Sequence, residues 1–102
     1  KAWIIFNGTG AVSILASYHV ASLTDNAPGS WTVTYTNNFS SANYGVALAA
    51  SIYNDGAGQG ILCGFRDSYP PTSSTVRIET LNPGITANPD CQRVGVTCFG
   101  DQ

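Results

Sequence analysis

The chain has 102 residues and a mass of 10.7 kDa, which sets the size of one domain. Only 10% of its residues are charged and the formal net charge is −2, while ten Ser, ten Thr and eight Asn supply most of the polarity. The scattered cations Lys1, Arg66, Arg77 and Arg93 exclude a basic nucleic-acid footprint and a polybasic membrane patch. No apolar run reaches the roughly 20 residues of a membrane-spanning helix, and a 43% hydrophobic content excludes intrinsic disorder.

Period-two alternation dominates the chain, and no helical period is sustained. Ala2–Phe6 reads as a short, wholly apolar strand, and Asn7-Gly8-Thr9-Gly10 as the turn after it. Val12, Ile14, Ala16 and Tyr18 alternate with Ser13, Leu15 and Ser17 in a second strand. Trp31, Val33 and Tyr35 alternate with Thr32, Thr34 and Thr36, which predicts a half-buried strand with Trp31 on its inward face.

Tyr44–Tyr53 differs in kind, because Val46, Leu48, Ala50 and Ile52 form one face while Gly45, Ala47, Ala49 and Ser51 leave the other small and uncharged. Such a face allows close approach of another surface, and we read it as a subunit contact in preference to a bed for a loop of the same chain. Asn54-Asp55-Gly56 follows as a hairpin turn. Ile61–Phe65, Thr75–Leu81 and Arg93–Phe99 complete the set, separated by Pro70-Pro71-Thr72-Ser73 and Asn82-Pro83-Gly84. About seven short strands without repeat or linker predict one all-β domain over 1–102, a small antiparallel β-sandwich.

Chemistry is sparse. His19 stands alone at a strand end, with no G-x-S-x-G elbow near Ser17 or Ser22. The six acids lie mostly in turns and are too few to line a glycosidase cleft. Asn54-Asp55-Gly56 lacks the spacing of a calcium loop. The three cysteines form no C-x-x-C pair, and the reading is three thiols, with Cys63 and Cys98 as small core residues and a Cys91–Cys98 bridge as the alternative. No metal or cofactor is expected, and the chain is read as non-enzymatic. The candidate ligand-binding residues are Tyr53, Asn54 and Asp55 at one hairpin tip, and Arg66 and Tyr69 in the Phe65–Ser73 loop. Together they hold the rings, amide, carboxylate and guanidinium that stack on and hydrogen-bond a sugar. The blander alternative is that each is an ordinary polar loop residue.

The opening Lys1-Ala2-Trp3-Ile4-Ile5-Phe6-Asn7-Gly8-Thr9-Gly10 carries a resemblance, together with Val20, Ser22-Leu23-Thr24-Asp25-Asn26, Trp31-Thr32-Val33, Ala42-Asn43-Tyr44 and Val94-Gly95-Val96-Thr97-Cys98-Phe99-Gly100. These segments resemble C-terminal domains of bacteriophage tail-fibre and related virion proteins, whose opening follows K-A-W-x-x-F-N-G-T-G. The likeness spans nearly the whole chain, and Ser51–Asn88 is its unspecific part. His19 departs from the pattern where Asn is usual, as does Ala27-Pro28 where the turn has Gly, and the cysteines lie outside it. The resemblance implies a structural domain of the virion, at the distal end of a homotrimeric tail fibre. It also implies recognition of a host cell-surface glycan or outer-membrane protein. The alternatives are a carbohydrate-binding appendage of a phage depolymerase and a purely architectural trimerisation module. Because the chain opens at Lys1 and contains no Met, an upstream region is also expected.

Overall fold

A computed structural model of the chain describes residues 1–50, 62–65, 67–81, 91 and 93–101. They form eight strands: β1 (Ala2–Asn7), β2 (Ser13–Tyr18), β3 (Val20–Ala27), β4 (Ser30–Tyr35), β5 (Gly45–Ala50), β6 (Leu62–Gly64), β7 (Thr75–Leu81) and β8 (Val94–Phe99). Two four-stranded sheets result, with orders β2-β1-β8-β5 and β3-β4-β7-β6, and every pairing is antiparallel. The expected all-β sandwich is therefore the fold. Its additional strand is β3, which pairs with β4 through a turn at Pro28-Gly29. Gly29 has φ 67°, the left-handed conformation that a type II turn requires after proline.

The core lies between the sheets. Ala2, Ile4 and Phe6 of β1 and Val94, Val96 and Cys98 of β8 meet Trp31, Val33 and Tyr35 of β4 and Val76 and Ile78 of β7. Trp31 is completely buried, as the alternation of its strand predicts, and it packs edge-on against Phe6 with ring centroids 5.2 Å apart. Gly8 runs so close to the indole that a Cβ there would collide with the ring, which explains a glycine in this turn. Asn7 Oδ1 accepts from the Thr9 backbone N–H at 2.9 Å and sets the turn's shape. All three cysteines are free thiols, so the bridged alternative is not realised.

Candidate functional site

The two outer faces of the sandwich differ in chemistry. None of the residues in the four strands of the β2-β1-β8-β5 sheet carries a charge. Because β1 alternates, two of its five apolar residues point away from the core, and Trp3 and Ile5 are 38% and 37% exposed. The register continues this row across the sheet. Trp3 sits opposite Tyr18 and Thr97, and Ile5 opposite Ala16 and Gly95. Thr97 and Gly95 in turn oppose Ala47 and Ala49 of β5. The result is an open trough of about 470 Å³ with Trp3 and Ile5 on one side, Gly95 and Thr97 as floor, and Ala47 and Ala49 opposite. At the trough's end Phe99 lies over Gly45, whose missing Cβ makes room for the ring. The small face expected of Gly45, Ala47 and Ala49 is thus exposed, while Val46, Leu48 and Ala50 pack against the core; Ser51 falls outside the described residues.

The outer face of the other sheet is polar. Ser22 and Thr24 of β3 oppose Thr34 and Thr32 of β4, which oppose Thr75 and Arg77 of β7. Arg77 and Glu79 share this face because they are two residues apart on one strand. Ser30 is the cross-strand partner of Glu79. Arg77 Nε donates to Ser30 Oγ at 3.2 Å and lies 3.5 Å from Glu79 Oε2, so the nearly buried carboxylate has a charged partner.

Tyr69 covers this cluster. The guanidinium carbon of Arg77 lies 3.9 Å from the centre of the Tyr69 ring, a cation–π contact that pins the loop to the sheet. The ring remains 46% exposed, and since one face rests on Arg77 that exposure falls on its other face and edge. Two shallow depressions flank it. One, of about 420 Å³, contains Ser30 and Glu79; the other, of about 370 Å³, contains Thr32, Pro70 and Thr75. Tyr69 and Arg77 line both.

An aromatic clip holds the loop in place. Tyr44 stacks on Phe39 at 4.1 Å, and both meet Tyr35 edge-on. The Tyr44 hydroxyl donates to the carbonyls of Thr72 and Thr75 at 2.8 and 3.1 Å, and the Phe39 N–H donates to the Ser73 carbonyl at 2.8 Å. Carbonyls only accept, so the Tyr44 proton points to them and the Tyr35 hydroxyl donates to Tyr44 at 2.9 Å. Cys98 Sγ, 3.3 Å from the Tyr35 oxygen, is then the donor at the start of this chain. Burial, foremost, raises the pKa of Tyr35, Tyr44 and Cys98 above their ordinary values, so all three stay protonated.

Of the sequence-derived ligand candidates, Tyr69 stands at this site. Tyr53, Asn54, Asp55 and Arg66 lie outside the described residues. Sequence reasoning passed over Arg77, Glu79 and Ser30, although the period-two spacing of Arg77 and Glu79 in Thr75–Leu81 already places them together on the outer face. Among the described residues no group of His, Cys, Asp and Glu is arranged to hold a metal ion. In comparison with known proteins, no family model matches the chain, and neither a curated protein nor a solved structure gives a significant match.

Proposed function

We propose that this chain is a non-enzymatic domain of a bacteriophage tail fibre that trimerises through its uncharged sheet and meets the host cell surface with its polar loops. The observation that carries the reading is the outer face of the β2-β1-β8-β5 sheet, where Trp3, Ile5, Tyr18 and Phe99 stand exposed around a floor of small residues. An uncharged face of this extent favours burial against another surface. A second copy of the chain meets it without bringing a charge into a dry contact. The segments that resemble tail-fibre domains include β1 and β8, the inner strands of this face, and supply the trimer count and the place in the virion. Host contact then falls to the opposite side, where Tyr69 projects beside Arg77.

The test is adsorption of the labelled protein to a panel of bacterial cells, with purified lipopolysaccharide and outer-membrane protein fractions as competitors. Saturable binding that one fraction competes supports the reading. A well-formed trimer that binds no cell in a broad panel transfers it to the purely architectural module.

A further inference from the structure

We propose that the polar face around Tyr69 and Arg77 is a binding site for a carboxylated saccharide, such as a uronic acid unit of a surface polysaccharide. The inference rests on the host-recognition reading and assigns its ligand class. Three observations converge on it. Arg77 commits its Nε to Ser30, whereas its terminal Nη edge makes no hydrogen bond among the described residues and the side chain is 28% exposed. A guanidinium edge of this kind matches a carboxylate with two parallel hydrogen bonds. Tyr69 offers its free ring face beside that edge, suited to the apolar face of a pyranose.

The flanking depressions complete the argument, because their charges differ. The one containing Thr32 and Thr75 holds Arg77 and, among the described residues, no carboxylate, so it accepts an anion. The one containing Ser30 is lined by Glu79, whose buried carboxylate, engaged by Ser30 and Arg77, disfavours a second anion there. A saccharide lying across Tyr69 therefore places its carboxylate on the threonine side and a neutral ring on the Glu79 side. The Tyr69 ring, Pro70 and the threonine methyls give the threonine-side depression a mostly apolar surface, which suits the C–H face of a pyranose, whereas an acidic peptide would call for several cations and Arg77 is the one among the described lining residues.

The experiment is an NMR titration of the protein with a glucuronic acid-containing disaccharide, its neutral glucose counterpart, acetate and a short Asp/Glu peptide. The expected result is shifts confined to Tyr69, Arg77, Thr32 and Thr75, with the acidic disaccharide bound about tenfold tighter than the neutral one. Arg77→Lys retains the positive charge beside Glu79 but loses the two-pronged edge, and should cut that preference several-fold without abolishing it. Tyr69→Ala should abolish binding of both sugars, while Tyr69→Phe retains it. Spectral dispersion reports whether each variant is folded. Equal affinity for the acidic and neutral disaccharides, binding of acetate or the peptide as tight as the acidic sugar, or unchanged preference in folded Arg77→Lys would overturn the assignment. Cell adsorption that persists in Tyr69→Ala would leave host recognition standing and overturn this site alone.

Discussion

The hydroxyl of Tyr35 donates to the hydroxyl of Tyr44 across 2.9 Å, and through that bond the sandwich holds the loop that carries Tyr69. Tyr35 belongs to β4 and receives Cys98 of the opposite sheet, while Tyr44 passes the chain on to the carbonyls of Thr72 and Thr75. The core thus fixes the position of a surface ring by hydrogen bonds made at its own end.

Tyr44→Phe removes that link while keeping the stacked ring on Phe39. It takes a donor from the Thr72 carbonyl and an acceptor from the Tyr35 hydroxyl, while the Thr75 carbonyl keeps the Thr72 N–H, and the expected cost is about 1–3 kcal/mol. Hydrogen exchange should speed up at the Phe39 and Ser74 amides more than in the β1–β8 ladder. Uniform acceleration, or none, would count against the clip.

Burial also sets the response to alkali. Cys98 and Tyr35 have ordinary values of 9.0 and 10.0, and in the folded chain both are raised. The unfolded chain therefore releases these protons first, and above those values it binds fewer protons than the native state. Stability due to these groups is complete below about pH 9 and falls as the pH rises past 9.0 and then 10.0. Urea midpoints at pH 8 and pH 10.5 measure the effect, each fully titrated group contributing up to about 1.4 kcal/mol per pH unit. Tyr35→Phe should flatten the slope, and a midpoint independent of pH would contradict the burial of these groups.

Trp31→Ala empties the largest site in the core and is expected to cost about 3–5 kcal/mol. Gly8→Ala attacks the same contact from the other side, since the new methyl meets the indole, and should cost about 1–3 kcal/mol. In the Trp31→Ala background the Gly8→Ala penalty should shrink to what the Cys91 carbonyl, 3.1 Å from the new methyl, still imposes. A double-mutant cycle that adds without coupling would refute the close approach.

His19 occupies a left-handed conformation, φ 57°, between β2 and β3, and its Nδ1 is buried without a partner among the described residues. His19→Asn suits that backbone and removes the orphaned ring nitrogen, so thermal stability should hold or rise. His19→Val should lower it by about 1–3 kcal/mol. Equal melting temperatures for the two variants would contradict the strain.

Much of the fold was legible because strands with one face in a core announce themselves by alternation, as Trp31, Val33 and Tyr35 do. Strand β3 was less legible. It is an edge strand with most residues exposed, so Val20–Ala27 lacks a clean apolar phase. The small outer face of Gly45, Ala47 and Ala49 could be read locally, but its continuation through Gly95 and Thr97 to Trp3 and Ile5 depends on register across three strands. The site divides in the same way. Tyr69 stood out as an aromatic in a proline-rich loop, whereas Ser30 meets Glu79 only through a pairing between positions far apart in the chain.

If copies of this chain cover the uncharged sheet, as proposed, the mass in solution reveals it. Multi-angle light scattering at micromolar concentration should return three times 10.7 kDa for the wild type. Ala49→Glu, which sets a charge beside Gly95 in the trough, should return a single chain with its β-sheet circular dichroism intact. A wild-type mass of 10.7 kDa, or an Ala49→Glu variant that remains trimeric, would contradict the account.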